Sequence, residues 1–222
     1  MSELRFAFFL GKSGGDYIAV QKAAQAGLVN IKTEYVFSSS AKSEALAFYK
    51  DIGGSNYLVA KNMKNPKDRE IFFRSCLCIL QDLKIDYIFL SGFKYLLPAF
   101  LVSCYQNKII NSHHSLLPAK PGLYTKEELV SSDDKFLGAT LHFVDNDVDT
   151  GTKLSQAVFP NLGPEYFNKI LKTFRFVQNL MVVQLVRDLT IKRSNIGFTC
   201  RDNILFNPSV EESVWKLFKN SL

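Results

Sequence analysis

No apolar run in this 222-residue chain reaches the ~18 residues expected of a membrane-spanning helix, so no membrane partner is expected. Nor is there a dense Lys/Arg run: 27 basic and 21 acidic residues give a formal net charge of +6, and the charge is spread along the chain. That pattern gives little support to nucleic-acid binding, which usually shows a concentrated basic stripe, although it leaves a general attraction for anionic ligands. The four cysteines, Cys76, Cys78, Cys104 and Cys200, show no paired CxxC spacing, and no metal is expected. Cys76 and Cys78 lie in an apolar stretch and are expected to fill small spaces in the core. The opening MSELRF lacks the pattern of a signal peptide, and a cytoplasmic protein is expected. Internal repeats, low-complexity segments and a convincing domain linker are also missing. The glycine cluster Gly11-Lys12-Ser13-Gly14-Gly15 is not a GxGxxG fingerprint and no suitably placed acid follows it, which weakens dinucleotide binding.

What is present is ordinary globular composition, 47% hydrophobic and 22% charged, over a length that fits one domain with a full core. Short apolar runs alternate with longer helical patterns. Strands are expected at Phe6–Leu10, Glu34–Phe37, Tyr57–Ala60, Asp86–Leu90, Lys108–Ile110, Gly138–Val144 and Lys153–Phe159. Helices are expected from Asp16 as N-cap to about Ala26, near Ser43–Lys50, from Lys67 to Leu83 behind an Asn65 cap and Pro66, and over Pro164–Asp188. A hairpin around Gly197–Phe206 turns at Arg201-Asp202-Asn203. This alternation predicts an α/β fold: an open, mostly parallel, Rossmann-like sheet with helices on both faces and a C-terminal hairpin. Ligands in such sheets gather at the carboxyl ends of the strands.

The three histidines fall at 113, 114 and 142, in two windows where polar residues interrupt apolar runs. Asn111-x-His113 directly follows a short strand. An asparagine amide suits a developing oxyanion, a histidine carries a proton near neutral pH, and two residues apart on extended chain they point the same way. The window Asp145-Asn146-Asp147-Val148-Asp149-Thr150-Gly151 supplies carboxylates that could orient an imidazole. Taken singly, a histidine after a strand is more often structural than catalytic, and an acidic loop before glycine is usually a turn. The residues alone leave an acid–base site as one reading among several.

Three segments carry more. Ile110-Asn111-Ser112-His113-His114-Ser115-Leu116-Leu117-Pro118, followed by Pro121-Gly122, resembles the signature of the folate-dependent formyltransferase family. Gly138-Ala139-Thr140-Leu141-His142-Phe143-Val144 with Asp149-x-Gly151 resembles its second signature. Ser91-Gly92-Phe93-Lys94-Tyr95-Leu96-Leu97-Pro98-Ala99-Phe100 looks like its folate-pocket strand and loop. In length and layout the chain is nearest to the members that formylate phosphoribosylglycinamide in purine synthesis. The resemblance implies a single domain over residues 1–222: an acceptor- and folate-binding half at 1–110, a catalytic half at 111–190, and a hairpin and tail at 191–222.

It also implies an enzyme with 10-formyltetrahydrofolate as formyl donor and a primary amine as acceptor. Asn111 would hold the formyl oxygen, His113 would move the proton, and Asp149 would act on the imidazole and on water, with His142 and Ser115 supporting them. Arg69 would lie near the folate's glutamate tail, and Gly92, Phe93, Lys94, Tyr95, Leu96 and Leu97, with Asn111, Asp145 and Asp149, would hold the donor. Tyr95 stands where an arginine is usual. Lys12, Ser13, Gly14, Gly15, Asp16 and Tyr17 would meet the acceptor's phosphate, against a usual Ser-Gly-Asn-Gly-Ser-Asn loop, with Lys12 offsetting the Asp16 carboxylate. Gln178 would stand where the family has a glutamate that touches the acceptor's amine. The alternatives are an amino sugar on a nucleotide as acceptor, or hydrolysis of formyl-folate, towards which the His113-His114 pair points. Partners are limited to amine and folate, in a monomer or homodimer; Phe206, Trp215 and Phe218 are candidates for an interface.

Overall fold

The computed structural model describes residues 3–194 and 196–219. Asn220, Ser221 and Leu222 of the expected tail lie outside them. Nine strands form one sheet in the order β3-β2-β1-β4-β5-β6-β7-β9-β8. The strands are β1 (Leu4–Leu10), β2 (Ile31–Ser38), β3 (Tyr57–Val59), β4 (Tyr87–Ser91), β5 (Ile109–His113), β6 (Phe136–Phe143), β7 (Lys153–Pro160), β8 (Thr199–Arg201) and β9 (Ile204–Asn207). From β3 to β5 every neighbouring pair is parallel; from β5 to β8 every pair is antiparallel. The expected fold class holds, and the change of sense falls at β5, the strand that carries the Asn-x-His motif.

The helices are α1 (Gly15–Gln25), α2 (Glu44–Asp51), α3 (Pro66–Asp82), α4 (Ala99–Cys104), α5 (Lys126–Val130), α6 (Phe167–Ile191) and α7 (Glu212–Phe218). Local signals account for the best-defined ends. Asn65 Oδ1 accepts the amides of Lys67 and Asp68 at 2.9 and 3.1 Å, while Pro66 has no N–H to leave orphaned. Ser43 accepts the Leu46 amide at the start of α2. The expected Asp16 cap is corrected: Gly14, at φ 59°, caps α1 in the left-handed region, and Asp16 lies inside the first turn, buried. The short α4, α5 and α7 lack a long period and were not expected.

The sheet separates two cores by simple alternation. On β1, Phe6, Phe8 and Leu10 face one side, with Tyr17, Phe176 and Trp215. Ala7 and Phe9 face the other, with Phe73, Cys76 and Leu101. Two expectations change here. Cys76 fills core space, but Cys78 is exposed, because positions two apart on a helix point to nearly opposite sides. Phe206, Trp215 and Phe218 belong to the first core rather than to an interface: they are 0%, 3% and 5% exposed. Trp215 packs edge-on against Phe176 at 5.2 Å and Phe206 at 6.0 Å, with the Arg201 guanidinium over its ring at 4.6 Å.

Candidate active site

The Asn-x-His motif lies within β5 rather than after it. Pairing with antiparallel β6 extends the strand to His113 and sets Asn111 opposite His142 and His113 opposite Thr140. Asn111 Nδ2 lies 3.2 Å from His142 Nε2, and His142 Nδ1 lies 2.9 Å from the Phe143 carbonyl. In the neutral ring a proton on Nδ1 serves that carbonyl and Nε2 accepts one Asn111 amide hydrogen, whereas the protonated ring turns its Nε2–H towards Asp149 Oδ1, 3.5 Å away. The second hydrogen of the Asn111 amide stays available for a ligand oxygen.

The acidic loop delivers Asp149 to the same place. Its Oδ2 accepts the Gly122 amide at 2.8 Å and lies 3.3 Å from His113 Nδ1; its Oδ1 is 3.5 Å from His142 Nε2. Asp149 adopts φ 57°, in the left-handed region uncommon for a side-chain-bearing residue. Gly151 permits that approach: a Cβ there would meet the Phe143 carbonyl oxygen at 1.8 Å. Burial alone would raise the Asp149 carboxyl, but His142, the Gly122 amide and His113 outweigh it and hold it below its ordinary value.

The other edge of the His113 ring is also engaged. Nε2 lies 2.8 Å from the Lys120 carbonyl and 2.9 Å from Tyr124 Oη. Ser115 Oγ donates to the same Lys120 carbonyl at 2.8 Å. Burial, with Asp149 adding to it, pushes the Tyr124 phenol up to about 12, so Tyr124 remains a neutral hydroxyl. His114 is no second proton carrier. Burial first, then Lys126, His113 and Lys94, push it down to about 3, and its ring packs 5.8 Å from Phe174. Tyr124, Gly122 and the Lys120 carbonyl were missed, because two of the three contacts are backbone groups and Tyr124 carried no spacing signal.

The expected donor-side residues divide. The backbone of Lys94–Leu97 makes no hydrogen bond among the described residues, which leaves amides and carbonyls free to meet a planar heterocycle. Gly92 has φ 64°, and its carbonyl passes so close to Gly11 that a Cβ there would sit 1.7 Å from it. The Phe93 side chain serves the core instead, 5.3 Å from Phe9 and 6.2 Å from Phe73, and Tyr95 packs 5.8 Å from Phe93. Asp145 accepts the Thr150 hydroxyl at 2.8 and 2.9 Å, so it pins the loop. Arg69 is exposed on α3. A cavity of about 330 Å³ borders this loop, but of the expected donor-site residues it is lined by Asp145 alone. The histidine–carboxylate geometry locates the site better.

On the acceptor side the structure corrects two residues. Tyr17 is fully buried, 4.9 Å from Phe8 in the core, so its side chain is not at the loop's surface; its amide donates to Ser91 Oγ at 3.0 Å. Lys12 and Ser13 are exposed, and the Lys12 carbonyl accepts the Glu44 amide at 2.9 Å. The cation that Asp16 feels is Lys126 on α5, not Lys12. Gly14 and Gly15 lead directly into α1. Gln178 lies beside the motif and donates to Ser112 Oγ at 2.9 Å.

The formyl transferase family model matches residues 4–185. The chain belongs to the formyl transferase family. It is 29% identical over 158 residues to the trifunctional purine biosynthetic protein adenosine-3 of Drosophila melanogaster, an alignment covering 71% of this chain and 12% of that one. It is 24% identical over 196 residues to the chloroplastic phosphoribosylglycinamide formyltransferase of Vigna unguiculata, covering 85% of this chain and 62% of that one. The chain thus spans less than two thirds of the length of either relative. A solved structure of glycinamide ribonucleotide transformylase 1 from Geobacillus kaustophilus superposes with a TM-score of 0.78 at 26% identity, over 85% of this chain and 100% of the other. Among the described residues no helix of the chain is long and apolar enough to cross a membrane.

Proposed function

We propose that this chain transfers the formyl group of 10-formyltetrahydrofolate to the amine of phosphoribosylglycinamide. The observation that carries the reading is the convergence of an amide donor, an imidazole and a carboxylate: Asn111, His113 and Asp149, with His142 joining the first to the third. Relatives named for phosphoribosylglycinamide formyl transfer support the acceptor.

The amine nitrogen attacks the formyl carbon, and negative charge develops on the formyl oxygen. The free Asn111 amide hydrogen, held in place by His142, meets that oxygen; one such donor is worth about 10²–10³ in rate. His113 takes the proton lost by the attacking nitrogen and returns it to the departing folate nitrogen. Asp149 keeps the imidazole in register and balances its charge. The donor fits the residues present: an unspent backbone at Lys94–Leu97, and exposed apolar side chains Leu96 (74%), Leu123 (82%) and Val148 (46%) on the loops bordering the cluster. We read the chain as a single domain working in the cytoplasm, as monomer or homodimer, with no nucleic-acid partner.

The test follows tetrahydrofolate release from 10-formyltetrahydrofolate with and without phosphoribosylglycinamide. Turnover that requires the acceptor is expected. Release at the same rate without it would replace transfer with hydrolysis, and release only with an amino-sugar nucleotide would replace the acceptor.

A further inference from the structure

Tyr124 reaches the proton carrier from a loop without any spacing signal in the sequence. It stands directly before the capping box of α5, in which Thr125 Oγ1 accepts the Glu128 amide at 3.1 Å and Glu128 Oε2 accepts the Thr125 amide at 2.6 Å. Its ring packs on the same core as Leu129, the fourth residue of that helix, a pairing that fixes the angle at which a chain enters a helix. Anchored in this way, the phenol meets the His113 ring edge-on, 5.4 Å between centroids and 87° between planes, with Oη 2.9 Å from Nε2.

The partners of the His113 ring sort by the protonation state that each one serves. Asp149 Oδ2, 3.3 Å from Nδ1, favours a proton on that nitrogen. With Nδ1 protonated, a neutral ring presents a lone pair at Nε2, and a charged ring presents an N–H. The Lys120 carbonyl, 2.8 Å from Nε2, can only accept. It suits the charged ring and meets the neutral one lone pair to lone pair. The Tyr124 hydroxyl can donate, so among the described hydrogen-bond partners of the ring it alone completes the neutral form. Ser115 Oγ donates to the same carbonyl at 2.8 Å and is also a hydrogen-bond partner for the phenol.

The other ionisable groups around the ring are accounted for. His142 of β6 lies 6.5 Å away, ring to ring, and shares Asp149 through Oδ1 at 3.5 Å. Burial first, then Lys126, His113 and Lys94, push His114 down to about 3, so it stays neutral. The Lys120 ammonium is paired with Asp134. Thr140, opposite His113 on β6, and Gln178 of α6, which bonds to Ser112, carry no charge.

We propose that Tyr124 is a positioning residue for the transfer step: it holds His113 in the neutral form that can take the amine's proton, and yields Nε2 to the Lys120 carbonyl once the ring is charged. The inference rests on the reading of His113 as proton carrier and adds the group that lets it start as a base. Asp149 and the carbonyl both stabilise the imidazolium; without a counterweight the ring would keep its proton and could accept no other. As the amine's proton arrives at Nε2, the phenol's hydrogen swings to Ser115 Oγ and the new N–H is taken by the carbonyl. When the proton leaves for the folate nitrogen, both revert. The phenol keeps its own proton throughout, because burial, eased by Ser115 and reinforced by Asp149, pushes it up to about 12.

Tyr124→Phe keeps the ring and its packing and removes only the hydroxyl. The lost bond stabilised the neutral ring, so the ring stays charged to higher pH in the variant. The acid limb of kcat should move up by about half to one pH unit. At about pH 6 kcat is therefore expected about threefold to tenfold below wild type, with the deficit closing by about pH 9. Acceptor KM and melting temperature should change little. A deficit of the same size at every pH would make Tyr124 a packing residue, and an unshifted limb would leave it no part in the proton's path; either overturns the proposal. Titration of the imidazole signals by NMR in the unliganded protein reads the same shift without turnover. The chain has three histidines, and the His113 signal is the one that H113N lacks. A midpoint at higher pH in Y124F, in a protein that transfers no formyl group, would remove the functional reading and keep this inference. Formyl transfer with an unmoved midpoint would remove this inference alone.

Discussion

The end of β5 and the start of α1 lie on the same side of the chemistry, yet they are built on opposite terms. At β5 each working side chain is already tied: His113 to Asp149, Lys120 and Tyr124, Asn111 to His142, and Asp149 to Gly122. At α1 the Asp16 carboxyl and the amides of Gly14, Gly15 and Asp16 have no partner of their own among the described residues. Groups that act on the transition state must be held before substrate arrives, since reorganisation would add to the barrier. Groups that only recognise a ligand can leave their last bonds for the ligand to complete. The first region is therefore expected to respond to substitution in kcat, the second in KM.

The sharpest way to break that contrast is His113→Ala. A proton carrier contributes about 10²–10⁴ in rate, so kcat should fall by about 10³ while the thermal midpoint and acceptor KM move little. Steady-state kinetics with paired melting curves checks both. A fall confined to KM would place His113 among recognition groups and undo the comparison.

Asn111→Ala comes next. Loss of one preorganised oxyanion donor should lower kcat by about 10²–10³. It also removes the amide that lies 3.2 Å from His142 Nε2. Single-turnover rates at saturating donor separate the chemical step from release, and an unchanged rate there would deny the amide its oxyanion role.

Gly151→Ala touches the scaffold rather than the chemistry. The added methyl meets backbone, the Phe143 carbonyl oxygen at the end of β6, at 1.8 Å, and neither that strand end nor the loop leading into β7 can yield cheaply. A cost of about 1–3 kcal/mol in stability is expected, with a drop in kcat as Asp149 shifts from His113. Equal melting temperature and equal kcat would show that the loop does not depend on this approach.

How much of this could be read in advance follows the same division. The strands, the start of α2 and the cap of α3 were legible because alternation and capping are local. Ser43 and Asn65 act on amides two and three residues away. The motif residues were legible as types and through resemblance. Their contacts were not, because Gly122 and the Lys120 carbonyl act through backbone, and that depends on where a loop folds back. Tyr17 shows the limit from the other side. It stands next to Asp16 in a loop expected to bind ligand, but one step along a helix turned it into the core beside Phe8. Lys126 is about 110 positions from Asp16 in sequence and no local rule pairs them. The expected cation was the neighbour in sequence, Lys12.

That pair yields the smallest and most discriminating test. Lys12 is exposed, and what it gives the structure is its carbonyl, which holds the start of α2 through the Glu44 amide. Replacing its side chain leaves that bond in place. Lys12→Ala should change acceptor KM by no more than about threefold, the scale of a solvent-screened charge, and should leave kcat and the melting temperature alone. The half-buried Lys126 works in a less screened setting, so its loss should weigh more heavily on the same constant. Acceptor KM for both variants, measured at low and moderate salt, decides which lysine meets the anion. If Lys12→Ala proves the more damaging, the loop itself supplies the cation and the field at Asp16 comes from a lysine that never touches the ligand.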